Sequence, residues 1–442
     1  MKYCNSFICN RLFVFAALLA VGLFAGCSDD ETTAPDGDNN PPDVAFTVAA
    51  VAVPKGNDKT LTVTVTDPDG DDVSVLWEVT RGTFTSPQGN PSIVWRAPAT
   101  TGRETLTITA SDGNGGTTTI TETILVGTVK QSGVSTAVWD LNNAPYIVRP
   151  DASKRFVISP NAVLTVDQGC ELLIEGEELE IWLEGTLRTN GTADQPVVIR
   201  PNIRRPEAGY WKGINGNPNS SVPRILLTHT EVLYATEAVK TPTPGEIALD
   251  GCTIMFASEA AVVHESTGDL TVENSFITNN VKSGIRLVRL PGLDVPGLVV
   301  ISNDSIAANG DVSGSTPYVN QAAIYVDMPD TFRTCDFQIK NNEISRNAFP
   351  GIQLVGASYP TVSNNAIFAN ELGKTSQRYN IRLDDGFGGG VTGMIDARQN
   401  WWGAAYPSAE DSTAIRVMIR DSEDVGNITV RVAIDPWLNT KP

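Results

Sequence analysis

The chain has 442 residues and a formal net charge of −19 at pH 7, from 51 acidic and 32 basic side chains. This charge argues against nucleic acid and against anionic polysaccharide as a tightly bound partner, because both would meet a negative field. Hydrophobic residues make up 41% of the chain, which is enough for sizeable folded domains, and no Cys-x-x-Cys or Cys/His spacing typical of a zinc site is present.

Residues 1–27 predict a signal peptide. A short basic segment precedes an apolar run over residues 12–24 that is too short to span a bilayer. The run ends in Phe24-Ala-Gly-Cys27 and resembles a bacterial lipoprotein signal, which implies that Cys27 becomes the acylated N-terminus. An ordinary secretory signal with an incidental Cys27 is the alternative.

Residues 28–42 are polar and acidic without apolar periodicity, so we expect a disordered, solvated tether. The acidic start just behind Cys27 is similar to surface-export signals of some Gram-negative lipoproteins. This similarity implies a bacterial outer-membrane protein that is held only by its lipid and exposed at the cell surface.

Residues 43–127 predict a small antiparallel β-sandwich. Alternating strands separated by turn residues occur at 60–65, 73–77, 92–95, 105–109 and 117–126. The segments 66–71, 95–98 and 110–116 resemble bacterial immunoglobulin-like modules of the cadherin and polycystin type, which implies a spacer or adhesive unit.

One loop of this sandwich gathers four carboxylates, at Asp67, Asp69, Asp71 and Asp72. Hard oxygen ligands are what Ca²⁺ requires, so the loop is a candidate calcium site. The same Asp-Pro-Asp-Gly sequence also makes a good turn without any ion. No cofactor is required by the sequence, and calcium is the one candidate.

A repeat dominates the second half of the chain. Its frame is an apolar residue, any residue, Asn, two residues, Ile, two residues, Asn, and its ungapped copies start at Val272, Ile301, Ile339 and Val362. Weaker copies start at residues 227, 249 and 395. A short apolar unit that returns every 23 to 38 residues predicts a solenoid of stacked strands.

Most copies carry a second alternating strand, as at Ile285, Ile324, Ile352 and Ile381, and no segment shows helical periodicity. We expect about ten coils, spaced by about 4.8 Å, with the repeated Asn at sharp left-handed corners and their amides stacked between coils. The predicted fold is all-β. Residues 128–155 are expected to form a linker and N-terminal cap, and residues 156–442 the solenoid.

The region from residue 163 to 438 resembles the right-handed parallel β-helix proteins of the pectate-lyase-like superfamily. Besides the repeats, the resemblance rests on the segments 162–169, 185–199, 211–214, 400–403 and 435–438. It implies a right-handed parallel β-helix and, in some family members, action on polysaccharides.

The carboxylate patterns of the family's hydrolases and the Trp-x-Asp-His and Arg-x-Pro-x-x-Arg patterns of its lyases are absent from the sequence. The remaining weak candidates for catalysis are Arg286, Arg289, Asp384 and Asp385. Since Asp384 and Asp385 directly follow a predicted strand, a turn is the competing interpretation. His229 falls on a corner position that later coils give to Asn, so it is expected to be structural.

Aromatic rings are the other candidate ligand-binding groups, at Tyr210, Trp211, Trp401 and Trp402. Trp401 and Trp402 are adjacent, so on a strand they would point in opposite directions and one would pack inward. After removal of the signal, Cys170, Cys252 and Cys335 remain beside the lipid-bearing Cys27. All three are expected to be buried core residues, and a single disulfide between two of them is the alternative.

The sequence therefore favours a lipid-anchored surface protein that presents a β-helical face for adhesion or glycan binding, without catalysis. A polysaccharide-active lyase, hydrolase or epimerase is the alternative, and a structural envelope protein is the third. The expected partners are a polysaccharide or a surface protein.

Overall fold

A computed structural model describes residues 39–220, 222–242, 244–288, 297–311, 321–328, 337–356, 359–373, 378–384, 393–404, 411–426 and 428–442. Within these ranges nearly all regular structure is β-strand. The first eight strands are β1 (Asp43–Phe46), β2 (Ala52–Pro54), β3 (Asp58–Thr66), β4 (Ser74–Val79), β5 (Thr83–Phe84), β6 (Ser92–Arg96), β7 (Gly102–Ser111) and β8 (Thr117–Lys130). The next thirty strands are β9 (Ala137–Trp139), β10 (Tyr146–Val148), β11 (Arg155–Ile158), β12 (Val163–Asp167), β13 (Glu171–Ile174), β14 (Glu180–Leu183), β15 (Thr186–Asn190), β16 (Val197–Pro201), β17 (Gly213–Gly216), β18 (Arg224–Thr228), β19 (Thr230–Leu233), β20 (Glu237–Pro242), β21 (Glu246–Asp250), β22 (Thr253–Met255), β23 (Ala260–Glu265), β24 (Leu270–Glu273), β25 (Phe276–Thr278), β26 (Ser283–Val288), β27 (Val299–Ser302), β28 (Ser305–Ala307), β29 (Ile324–Met328), β30 (Phe337–Lys340), β31 (Glu343–Ser345), β32 (Ile352–Gly356), β33 (Thr361–Ser363), β34 (Ala366–Phe368), β35 (Ile381–Leu383), β36 (Gly393–Asp396), β37 (Ile419–Arg420) and β38 (Val430–Ala433).

The first seven strands and most of β8 form a β-sandwich, as the alternating pattern predicts, and its pairings are antiparallel except that β2 pairs with β8 in parallel. One sheet has the order β1-β3-β6-β5, and the other contains β4, β7 and β8. In β7 the even-numbered side chains from Glu104 to Ala110 are buried, and the odd-numbered ones are partly exposed. Trp77 and Trp95, from opposite sheets, fill the core with 1% and 0% exposure. The sandwich therefore follows from a strict period of two.

From β9 onward every sheet pairing is parallel and joins strands one coil apart. Sheet 1 has eleven strands from β9 to β38, sheet 3 has ten from β11 to β37, and sheet 2 runs from β10 to β34. In sheet 2, Ile277 pairs with Ile306, Ile306 with Ile344, and Ile344 with Ile367. The central Ile of the repeat therefore stacks in one fully buried column. The ten strands of sheet 3 agree with the expected number of coils.

The two Asn of each repeat lie at different corners of the coil. The first Asn of each copy has a left-handed backbone, with φ of 55° at Asn274 and 60° at Asn303, and lies exposed between sheets 1 and 2. The second Asn is buried between sheets 2 and 3, where Asn309 donates to Asn347 Oδ1 at 3.1 Å. Only the second position therefore forms the amide ladder expected of both.

Residues 128–155, for which the sequence suggested a linker and cap, already belong to the coil. Strand β8 pairs with β7 in the sandwich and, at its end, in parallel with β10, so sheet 2 continues into the sandwich without interruption. Asn202 reinforces the joint, because its side chain accepts from Ala52 N at 2.7 Å and donates to Ala52 O at 3.0 Å. The sandwich thus covers the first edge of sheet 2.

Within the described ranges, two short helical segments are the exceptions to the all-β pattern. A 3-10 turn covers Leu141–Asn143, and α1 (Ser412–Arg416) precedes β37 near the end of the coil. Both are too short to give a helical period in the sequence. No helix in the described part of the chain is long and apolar enough to cross a membrane.

Candidate functional site

The outer face of sheet 3 carries a column of polar side chains. In-register pairing puts them on successive strands, so they lie one coil apart and point away from the core. The column contains Arg286, Tyr325, Gln353, Arg382 and Arg420.

A cleft of about 320 Å³ opens beside Arg286 on this face. We call it the Arg286 cleft and define it by Glu259, Lys282, Arg286, Gln321, Tyr325 and Asp327, which line it. Its polar groups come from three neighbouring coils, because β23, β26 and β29 are adjacent in sheet 3. This arrangement gathers side chains that are separated by more than sixty positions in the sequence.

Charge in the cleft is unevenly compensated. The Lys282 ammonium lies 2.5 Å from Glu259, a close ion pair. By contrast, Arg286 Nη2 lies 4.0 Å from Oε1 of its ion-pair partner Glu265. The same Glu265 oxygen also lies 3.3 Å from Lys240 Nζ, so Arg286 shares this carboxylate. The Arg286 guanidinium therefore keeps most of its hydrogen-bonding capacity for a ligand.

Tyr325 forms the base of the cleft and is 2% exposed. Its hydroxyl lies 3.4 Å from Asp327 Oδ2, a long contact. Burial and the neighbouring Asp327 carboxylate raise the pKa of the Tyr325 phenol well above its ordinary value. The phenol stays protonated at neutral pH, so it can donate a hydrogen bond but is poorly suited to act as a general base.

Asp384 lies on the same face but is held in a separate network. Its carboxylate accepts from Arg382 Nε at 3.0 Å, from Arg420 Nη1, and from Gln353 Nε2 at 2.5 Å. Strand β35, which precedes it, is three strands beyond the strand of Arg286, about 14 Å at the usual spacing. The structure therefore does not bring Arg286 and Asp384 to one reacting bond. Arg289 and Asp385 lie outside the described residues.

The acidic loop of the sandwich is organised by backbone hydrogen bonds. Asp67 Oδ1 accepts from the amides of Asp69 at 2.9 Å and Asp71 at 3.2 Å, and Asp69 and Asp71 accept from Asn40 and Asn114. Among the described residues no group of three or more acidic, His or Cys side chains could hold a metal ion. Calcium at Asp67, Asp69, Asp71 and Asp72 stays a prediction.

The prediction that four aromatic residues are candidate ligand-binding groups is wrong for two of them. Trp211 and Trp402 are 0% and 2% exposed, so their rings fill the core and cannot meet a sugar. Trp401 points the other way, as expected for adjacent residues, and packs edge-on against Phe368 with ring centroids 5.2 Å apart. Tyr210 is half-buried beside a loop.

A second polar surface follows the corner between sheets 1 and 2. Cavities of about 460 Å³ and 290 Å³ meet there and share Asn274 and Phe276, and we call the combined feature the corner groove. Besides these two it is defined by Asn303, Asn341 and Asn364 on one side and His229 at the other end. His229 takes the left-handed corner conformation with φ of 40°, as predicted for this position.

Phe276 was not singled out by the sequence reasoning, although a signal was present. It precedes the inward-facing Ile277, and the matching positions in the next three coils are Ser305, Glu343 and Ala366. An aromatic residue at an outward position that other coils fill with small or charged residues breaks the pattern. Phe276 is 54% exposed.

The floor of the corner groove contains a buried carboxyl group. Asp304 is 3% exposed, although it directly follows the exposed corner residue Asn303. Its Oδ1 accepts from Ser275 N at 2.7 Å, whereas Oδ2 has no hydrogen-bond partner. Burial, with smaller contributions from the Glu273 and Asp250 carboxylates, raises the pKa of Asp304 to about 8 against the opposing Ser275 hydrogen bond.

The remaining titratable groups of interest are structural. His264 is fully buried, with Nδ1 3.1 Å from Thr241 Oγ1 and Nε2 3.0 Å from Gly268 O. Cys170 and Cys252 are free and buried, as predicted, and burial raises the pKa of the Cys252 thiol to about 12. Cys335 lies outside the described residues.

Comparison with known families agrees with both parts of this architecture. Residues 39–125 match the family model of a bacterial Ig domain, and residues 237–392 match that of a right-handed beta helix region. The chain therefore contains a bacterial Ig-like domain followed by a right-handed parallel β-helix region. This combination indicates a surface or carbohydrate-related protein.

More distant likenesses add little. No curated protein matches the chain. One similar solved structure is a nucleoside hydrolase-related hypothetical protein from Saccharophagus degradans, described as associated with carbohydrate metabolism. It is 17% identical, the match covers 20% of this chain and 25% of that chain, and the TM-score is 0.18. At this TM-score the likeness carries no argument about fold or function.

Proposed function

We propose that this protein binds carbohydrate through the Arg286 cleft and does not catalyse a reaction there. The single observation that supports the proposal most is the incompletely paired Arg286 guanidinium, 4.0 Å from Glu265, at the opening of a polar cleft. Planar polar side chains such as Arg, Gln and Asp bind neighbouring hydroxyl groups in pairs, and all three types line this cleft.

Binding is favoured over catalysis by the state of the candidate acids and bases. The Tyr325 phenol has a raised pKa, and Lys282 and Glu259 neutralise each other in a close pair. General acid–base catalysis needs groups with pKa values near the working pH that converge on one bond. A polysaccharide-active enzyme stays the alternative, and its products are measured in the same experiment.

We further propose that the protein is a lipoprotein held in the bacterial outer membrane by acylated Cys27 and exposed at the cell surface. The proposal rests on the sequence of residues 1–42 and on the pairing of an Ig-like domain with a β-helix. Radiolabelled palmitate incorporation, compared between the wild type and Cys27→Ser, tests the lipid, and protease shaving of intact cells tests exposure.

The binding experiment uses a panel of soluble plant, algal and bacterial polysaccharides. Retention in affinity electrophoresis is measured together with new reducing or unsaturated chain ends. Arg286→Ala is expected to weaken binding about tenfold or more, the usual effect of removing a bidentate charged donor. The matched control is Arg188→Ala, since Arg188 is an exposed arginine on β15 of sheet 1.

Each outcome is decisive. Binding that Arg286→Ala weakens and Arg188→Ala leaves intact supports the proposal. If new chain ends form with the wild type and not with Arg286→Ala, the binding proposal is refuted and the enzymatic alternative is supported. The absence of both retention and products refutes the binding proposal and favours a structural envelope role.

A further inference from the structure

The corner groove is a second surface, on a different side of the coil from the Arg286 cleft. It follows the boundary of sheets 1 and 2, whereas the cleft lies on sheet 3. Its two cavities, of about 460 Å³ and 290 Å³, share Asn274 and Phe276 and together form one path parallel to the coil axis. Each step along this path is one coil, about 4.8 Å. A ligand that fits the groove is thus elongated and repetitive.

Phe276 is the apolar element of this path. Its neighbours in register are Thr253 on one side and Ser305 on the other, whose small side chains leave the exposed ring accessible. The fold does not demand an aromatic residue here, because Glu343 and Ala366 occupy the same position in later coils. An exposed ring flanked by hydroxyl groups is suited to stack on the apolar face of a sugar.

Three exposed amides continue the path beyond Phe276. Asn303, Asn341 and Asn364 lie on consecutive coils with left-handed backbones, and their side chains make no hydrogen bond to another described residue. Corner geometry alone does not require Asn, since His229 and Gln399 adopt it as well. Each free amide offers two donors and an acceptor, which is the complement of a hydroxyl-rich chain.

The charge of the groove restricts the ligand further. Glu231 and Glu343 line it, and Asp250, which accepts from Asn274 Nδ2 at 2.8 Å, lies at its edge. Lys441 forms an ion pair with Glu343, so little positive charge is left over. Because the whole chain is also acidic, an anionic polymer would be repelled.

We propose that the corner groove binds an uncharged glycan chain that lies along the coil axis. The Phe276 ring stacks on one sugar, and the amides of Asn303, Asn341 and Asn364 bind hydroxyl groups of the sugars that follow. This site does not depend on the Arg286 cleft, so either can exist without the other.

The test measures the affinity of the full chain for dextran, hydroxyethyl cellulose and galactomannan, with polygalacturonate as the anionic probe. At least one uncharged polymer is expected to bind, and Phe276→Ala to weaken that binding about tenfold, the loss of one stacked aromatic contact. A double variant, Asn303→Ala with Asn341→Ala, is expected to weaken it as well. The matched control is Asn279→Ala, because Asn279 is an exposed left-handed Asn at the other corner.

The unfolding temperature of each variant is measured beside its affinity, and Phe276→Ala is expected to fold because the ring is half-exposed. Unchanged binding in Phe276→Ala and in the double Asn variant overturns the proposal. If Arg286→Ala abolishes binding and Phe276→Ala does not, the proposed groove site is refuted and binding at the Arg286 cleft is supported. The proposal also fails if no uncharged polymer binds, if polygalacturonate binds more tightly, or if light scattering shows a dimer that Phe276→Ala dissociates.

Discussion

Asp304 occupies a place in the coil that is built for Asn, and replacing it with Asn is expected to stabilise the protein. In the next coils Asn342 and Asn365 take this place, and Asn342 Nδ2 donates to the carbonyl of Ile301 in the preceding coil at 2.9 Å. Asp304 Oδ1 makes the same contact as the amide oxygens do, so Oδ2 lies where an N–H group should be. Asp304 Oδ2 can take the place of the amide N–H group only if the carboxyl group is protonated, because only then does it carry a hydrogen to donate.

The size of the effect follows from the pKa of about 8 for this carboxyl group in the folded protein. In the unfolded chain its pKa returns to about 3.9. Between these values the folded state holds a proton that the unfolded state has released, so stability decreases as pH rises from about 4 to about 8. At pH 7 the loss is about 4 kcal/mol, from three pKa units at 1.36 kcal/mol each, and Asp304→Asn is expected to recover most of it.

The assay is urea unfolding followed by circular dichroism at pH 5, 6, 7 and 8, for the wild type and Asp304→Asn. The difference in the unfolding midpoint is expected to grow steadily with pH, because only the wild type titrates here. Asn342→Asp is the reciprocal control. It places a carboxyl group at the equivalent position of the next coil, so its stability should also decrease as pH rises. An equal difference at pH 5 and pH 8, or a variant less stable than the wild type at pH 8, would refute the reasoning.

Three further predictions concern the buried polar groups. Asn309→Ala should destabilise the coil by about 2 kcal/mol or more, measured by urea unfolding, because it leaves the Ile277 carbonyl, now 2.9 Å from Asn309 Nδ2, without a partner; an effect below about 0.5 kcal/mol would contradict this. Asn202→Ala should lower the protection of the Ala52 amide against hydrogen exchange about tenfold or more, since that amide donates to Asn202 Oδ1 at 2.7 Å; unchanged exchange would show that the joint holds without it. The Cys252 thiol, fully buried with a pKa raised to about 12, should resist iodoacetamide at pH 8 until urea unfolds the chain, as read by peptide mass spectrometry; rapid alkylation of the folded protein would show that the coil opens there.

The coil is predictable from sequence because its physics repeats. The inward Ile at 277, 306, 344 and 367 must align if each coil is to bury its apolar side, so a fixed frame in the sequence becomes a fixed register in space. The corners are predictable for a similar reason, since Asn is among the few residues that accept a left-handed backbone.

The roles of individual polar positions were harder to predict. Asp304 follows a corner Asn and looks exposed in a simple alternating pattern, yet the chain turns there and buries it. A period of two holds within a strand and gives no information at the corner itself. Likewise, whether Arg286 or Asp384 is neutralised depends on partners from other coils, which no local pattern reveals.

The pairing of the two domains was not predictable at all. Strand β8 meets β10 through backbone hydrogen bonds, which leave no side-chain signature in the sequence. Two polar residues reinforce the contact. Asn202 binds the backbone of Ala52, which is 150 positions away, and Arg204 binds that of Val48, which is 156 positions away.

The passage of β8 from the sandwich into sheet 2 has a consequence for orientation. A joint made of continuous backbone pairing has no hinge, so the sandwich and the coil turn together as one body. Phe276 and Arg286 therefore keep a constant direction relative to the sandwich, and a rotation of either domain carries both sites with it.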